Sequence, residues 1–217
     1  MWEAVSGTKP AFFVICPIVT DSTVDKVNFP VSVGITDKKY DVSEIEDYVN
    51  FIGITYPRKY KTNLDETTIA VCSGPIQGKF ENALRIAEYV EIYQLLGASK
   101  FYFYNMSMSK EVENLARHYE SQGLAEIVSW NIDEVLEMDE NIIHYYGIMA
   151  TLNDCFYRAT AIDNFKYVIV TDYDEIIFPY KTETLTEFLE LYDTPTIHSF
   201  TFSNYFVFAE YPQDLSN

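Results

Sequence analysis

Positive charge is what this sequence has least of. Its 217 residues carry 15 Lys and Arg against 33 Asp and Glu, a formal net charge of −18. Binding a nucleic-acid backbone takes clustered Lys and Arg, so nucleic acid is excluded as a partner class. Histidine is scarce, with three residues, and His118 and His144 fall inside helical patterns where a surface or core position is expected. Cysteine is equally sparse: Cys16, Cys72 and Cys155 lack the paired spacing of a zinc site, and the odd count leaves at least one unpaired within the chain. The cysteines alone leave the compartment open. No apolar run near the start reaches membrane-spanning length. The longest there, AFFVICPIV at 11–19, is interrupted by Pro17 and has no basic leader, so it reads as a buried strand rather than an anchor or signal.

Hydrophobic and aromatic residues are plentiful, at 48% and 16%, and 18 of the residues are tyrosine. That is enough for one globular domain, with or without an appendage. Tyrosine suits ring contacts at half-wet surfaces as well as ordinary packing. If so acidic a chain binds phosphates, their counter-charge must come from elsewhere, and a divalent metal is the obvious source.

Two regions read differently. Residues 1–65 hold short apolar runs (11–19, 27–35 and 49–54) broken by Pro, Gly, Asp and Lys, which predicts β-rich or irregular structure, followed by a polar connection at 56–66. From 66 to 217 a regular alternation sets in. Strands are expected at 67–72, 100–104, 125–130, 167–171 and 197–202. Between them, helical periodicity runs over 81–97, 109–123, 141–163 and 184–193, the third loosened at Gly147. Gly97 and Gly123 are suited to left-handed helix stops. Glu81 and Arg85 are spaced to pair on the first helix, and Thr184 with Glu187 spells a capping box on the last. Alternating strands and helices imply a parallel sheet with crossover helices, and ligands of such sheets bind at the carboxyl ends of the strands.

One stretch at that edge stands out. YVIVTDYDEIIFP, 167–179, places Asp172, Asp174 and Glu175 directly after an apolar strand. In extended chain, residues two apart point the same way, so Asp172 and Asp174 would face one cleft with Tyr173 turned away. Convergent carboxylates repel unless a cation lies beside them, and hard ions such as Mg²⁺ or Mn²⁺ are held by carboxylates together with substrate phosphates.

The Asp-x-Asp and the order of elements look like the nucleotide-sugar half of a GT-A glycosyltransferase. Four ordered stretches, AEYVEIYQLLGASKFYFYN, HYESQGLAEIVSW, HYYGIMATLNDCFYR and VTDYDEIIFP, resemble glycosyltransferase family 92 over roughly residues 67–210. A Gln often follows the His-Tyr-Tyr-Gly of that family, whereas Ile148 stands here. The resemblance implies a GT-A-type, Rossmann-like α/β fold. It also implies inverting, Mn²⁺- or Mg²⁺-dependent transfer of a hexose, with galactose expected, from a UDP-sugar to a glycan acceptor. By the same resemblance Asp174 and Asp172 would hold the metal, and Asp172 would also contact the ribose or metal-bound water. Glu175 would either orient the site or cap the strand end. Ser73, Gly74 and Pro75 follow the first strand, where the uracil and ribose are held in this fold; the alternative for them is a tight turn and nothing more. Asp154 and Arg158 would either pair with each other or, through Arg158, reach a phosphate. Family members sit on the lumenal side of the Golgi membrane through an anchor, and neither anchor nor signal is visible here. After Glu190 the only acids are Asp193, Glu210 and Asp214. The acceptor half is therefore expected to be short or missing, the chain a piece of a larger transferase, and its catalytic base is not identified. A non-catalytic module that binds a nucleotide sugar or a partner protein is the alternative.

Overall fold

The computed structural model describes residues 32–34, 51–56, 68–78, 80–132 and 144–207. The expected strand at 11–19, the connection expected at 56–66 apart from Tyr56, and the acids Glu210 and Asp214 lie outside them.

Among the described residues of the amino-terminal region, β1 (Ser32–Gly34) pairs antiparallel with β2 (Phe51–Gly53), Val33 opposite Ile52. The main body is a four-stranded parallel sheet of β3 (Ile69–Cys72), β4 (Ala98–Asn105), β5 (Ala125–Ser129) and β6 (Tyr167–Val170), in the order β5-β4-β3-β6. Its helices are α1 (Ala83–Leu95), α2 (Lys110–Ser121), α3 (Ile148–Tyr157), which continues as a π-helical turn over Arg158–Ile162, and α4 (Leu185–Tyr192).

Side-chain alternation along the strands explains why helices cover both faces. Ile69, Val71, Phe101 and Phe103 point to one side, where Ile86, Tyr89, Val90 and Tyr93 of α1, Val112, Ala116 and Tyr119 of α2, and Leu185 and Leu189 of α4 meet them. The intervening Ala70, Cys72, Tyr102 and Tyr104 point to the other side, against Cys155 and Ala159. A parallel strand buried on both faces must be apolar throughout, as β3 is. Cys72 and Cys155 form a disulfide with Cα atoms 5.9 Å apart, tying the end of β3 to α3.

Chain direction fixes where a ligand can enter. From β3 the chain steps through α1 to β4 and through α2 to β5; it then returns by α3, on the opposite face, to place β6 on the far side of β3. The strand order reverses between β3 and β6, which run parallel with Cys72 opposite Val170. Such a reversal leaves a crevice at the carboxyl ends of the two strands.

The helix stops follow expectation: Gly97 has φ 105° and Gly123 φ 76°. The capping at α4 is half of a box, since Thr184 Oγ1 accepts from Glu187 N–H at 3.1 Å while the Glu187 carboxylate takes the N–H of Glu183 at 3.0 Å. Two expectations need correction. Residues 197–202 are not a strand. Among the described residues β6 is the edge of the sheet, and Phe200 and Phe202 instead pack on Phe188 of α4. Nor is 144–147 right-handed helix: Tyr145, Tyr146 and Gly147 have φ of 44°, 54° and 77°, so α3 begins at Ile148.

Candidate functional site

A cavity of about 390 Å³ opens at the β3/β6 crevice. Gly74, Pro75 and Gln77 come from the loop after β3; Phe80, Asn82 and Arg85 from the start of α1; Tyr145, Tyr146 and Ile148 from the entry to α3; Asp172, Tyr173 and Asp174 from the turn after β6. Four chain segments thus converge, and its size is that of small-molecule sites.

The acidic stretch is not extended, as alternation implied. β6 ends at Val170; Thr171 N–H still reaches Cys72 O at 3.2 Å, and the chain then folds into a turn closed by Glu175 N–H to Asp172 O at 3.1 Å. The Glu175 carboxylate accepts from Asp172 N–H at 3.2 Å, so Glu175 fastens the turn. Asp172 and Asp174 both line the cavity and are exposed. Tyr173 joins them rather than turning away: its hydroxyl donates to Gly74 O at 3.1 Å, and its ring meets Tyr89 edge-on at 5.3 Å.

Beneath the turn lie tyrosines of α1. Tyr89 Oη is 2.6 Å from Ser73 Oγ and 2.8 Å from Thr171 Oγ1, and Ser73 donates to Thr171 O at 2.7 Å. One turn on, Tyr93 donates to Glu175 O and accepts from Ile177 N–H, each at 3.2 Å. Burial pushes both phenols above the ordinary tyrosine range, so they stay neutral donors. This buried cluster holds the loops after β3 and β6 in register. Tyr89→Phe should therefore lower stability by about 1–3 kcal/mol, because two buried hydroxyls each lose a partner; urea unfolding checks it.

Ser73 belongs to that cluster and does not line the cavity; it is 2% exposed. Asp154 and Arg158 also stand apart from the lining. Arg158 Nε bonds Asp154 Oδ2 at 2.6 Å and its Nη1 reaches Glu126 at 3.1 Å, while Tyr104 donates to Asp154 at 2.6 Å. The group fixes α3 to β4 and β5. Asp193 pairs with Lys166 at 3.0 Å, at the amino end of β6 and so opposite to the cavity.

Arg85 was hidden in the sequence. Spacing assigned it to Glu81, yet no such ion pair forms; Asn82 caps α1 by accepting from Arg85 N–H at 3.0 Å, and the exposed Arg85 side chain lines the cavity. Among the described lining residues it is the one cation, facing the same space as two carboxylates. Although Asp172 is exposed as a residue, its carboxyl is held above the usual carboxylate range, first by partial desolvation at the crevice, then by the charges of Glu175 and Asp174. The folded chain thus holds this proton more tightly than the unfolded one. The penalty on folding is present at neutral pH and fades as pH falls through the raised value. A cation at the carboxylates would relieve it.

Among the described residues no group of three or more His, Cys, Asp or Glu is arranged as a metal cage. Two exposed carboxylates beside open space would instead supply part of the donor set that Mg²⁺ and Mn²⁺ share with substrate phosphates and water. The residues present fit such an ion.

The turn into α3 carries strain. The left-handed region costs an L-residue about 1–2 kcal/mol, and two successive tyrosines adopt it. Trp130 Nε1–H holds the turn through Tyr146 O at 3.0 Å. Ile148 packs on Gly74: a Cβ at Gly74 would lie 2.9 Å from Ile148 Cδ1.

The family model of glycosyltransferase family 92 matches residues 67–215, well over half of the chain. The chain belongs to glycosyltransferase family 92. The match begins at β3, so it takes in the whole parallel sheet and every cavity-lining segment, and leaves the β1/β2 pair outside. The beta-1,4-galactosyltransferase galt-1 of Caenorhabditis elegans is 26% identical over 186 residues. That alignment takes in 84% of this family 92 chain and 38% of the relative, so the chain spans well under half of the length of that protein. No helix among the described residues is long and apolar enough to cross a membrane.

Proposed function

We infer that this chain is the donor-binding part of a metal-dependent glycosyltransferase that moves a hexose, galactose by its family likeness, from a UDP carrier to a glycan acceptor with inversion. The observation that carries the reading is the convergence of Asp172 and Asp174 with Arg85 and the capped start of α1 in one crevice at the β3/β6 switch point. Acid, cation and helix terminus together match a diphosphate with its counter-ion. Asp172 and Asp174 would hold Mn²⁺ or Mg²⁺, which when bound supplies Lewis-acid charge to the diphosphate leaving group. Arg85 neutralises phosphate oxygens directly. Gly74 and Pro75 offer backbone to the nucleoside. The Cys72–Cys155 disulfide supports a lumenal, oxidising compartment such as the Golgi.

Arg85→Ala should weaken UDP binding about tenfold without lowering the melting temperature, since a charged hydrogen bond to phosphate is lost and the exposed side chain makes no ion pair with another described residue. Titration calorimetry with Arg85→Lys alongside checks it.

Among the described residues the carboxylates that line the cavity are Asp172 and Asp174, and no third described acid lines it. The second reading is a module that binds a nucleotide sugar without transferring it. UDP release from UDP-galactose, UDP-glucose and UDP-N-acetylglucosamine in Mn²⁺, measured beside binding, separates the two. Release fastest from UDP-galactose supports the first, binding without release the second, and neither binding nor release overturns both.

A further inference from the structure

Tyr145 and Tyr146 are held in the left-handed region one after the other, at φ 44° and 54°, and Gly147 extends the left-handed turn at 77°. Strain of this kind is ordinarily offset by what the side chains bury. Here the two residues remain 69% and 37% exposed, and both line the cavity. The turn is held from outside by the Trp130 indole on Tyr146 O, and from behind by Ile148 packed on Gly74. The backbone is thus fixed in a costly shape whose visible result is two phenol rings displayed beside Asp172 and Asp174.

We propose that Tyr145 and Tyr146 form the wall that recognises a hexopyranose ring, stacking on its C–H face while its hydroxyls turn to Gln77 and the carboxylates. This rests on the nucleotide-sugar reading above. Tyrosine suits such a ligand because it offers an apolar face and a hydroxyl at the wet edge. The diphosphate-matched groups, Arg85 and the start of α1, belong to other segments of the lining, so the tyrosine turn is available for what the diphosphate carries.

The test uses Trp130 fluorescence in a Trp2→Phe background, which leaves Trp130 as the single indole of the chain. UDP and UDP-galactose are titrated in Mn²⁺, and a galactose-ended oligosaccharide in the presence of UDP. Wild type should bind UDP-galactose more tightly than UDP. Tyr145→Gly and Tyr146→Gly should each weaken UDP-galactose about tenfold, leave UDP within about twofold, and keep or raise the melting temperature, because glycine relieves the left-handed strain. Tyr145→Phe should restore UDP-galactose binding, which a role confined to the shape of the turn would not require. If the glycine variants lose only the oligosaccharide, the pyranose is the acceptor's and the proposal stands with that source. Equal losses for UDP and UDP-galactose would assign the rings to the base and overturn it, as would unchanged affinity for all three. Absence of UDP binding by wild type would instead remove the nucleotide-sugar reading and this proposal with it.

Discussion

Asp174→Ala is expected to remove the Mn²⁺ dependence of UDP binding and to reduce release of UDP from a UDP-hexose by at least about a hundredfold. Weakening the surroundings of a metal ligand typically costs 10–100-fold, and here one of the two proposed ligands would itself be lost. The fold should be untouched. Asp174 is exposed, and the bonds that close the turn run between Asp172 and Glu175. Removing a like charge beside Asp172, whose carboxyl is already held high, should leave the melting temperature in metal-free buffer equal or slightly raised. Stability and activity therefore move independently or in opposite directions. Steady-state UDP release and thermal unfolding with and without Mn²⁺, on the same variant, read both. A variant that retains the metal enhancement would place the ion elsewhere.

Breaking the Cys72–Cys155 link should produce the largest stability loss. The two cysteines are 83 residues apart, and chain entropy assigns about 4–5 kcal/mol to a loop of that size, of which measured losses usually recover about 2–5 kcal/mol. Cys155→Ala should fall in that range by urea unfolding, and dithiothreitol should lower wild type towards the variant but leave the variant unchanged. The effect should extend to the site. Cys72 directly precedes the loop that supplies Gly74 and Pro75, and Cys155 lies on the helix whose first residue, Ile148, packs on Gly74. UDP affinity should therefore fall along with stability. A loss below about 1 kcal/mol would mean that the link contributes little to the folded chain.

The sheet was legible because its strands are apolar on both faces and its helices carry clean stripes ended by Gly97 and Gly123. The carboxylates after β6 were legible for the same reason: three charges interrupt an apolar run at a strand end. What alternation could not foretell is that the chain leaves the extended state at Val170. The turn is closed by the Glu175 carboxylate and by tyrosines of α1 more than 70 residues earlier, a contact of tertiary origin. Arg85 was misread because a local rule, pairing one helical turn apart, gave it a sufficient partner; its actual setting depends on the return of β6 to the far side of β3. The left-handed tyrosines were obscured by a helical pattern that continues through them, with Gly147 the one local sign of the break. Ser73 follows β3, but its hydroxyl is taken up by Tyr89 and Thr171. The pairing of Cys72 with Cys155 has no signal in their spacing; it follows from both facing the same side of the sheet.

The central claim is that Asp172 and Asp174 bind a metal-bound nucleotide diphosphate at the β3/β6 crevice. Titration calorimetry of UDP into the wild-type chain, first in EDTA and then in saturating Mn²⁺, tests it most directly. The account predicts weak binding in EDTA and an affinity at least about tenfold higher in Mn²⁺, a coupling of 1.4 kcal/mol or more. Equal UDP affinity in the two buffers would contradict it.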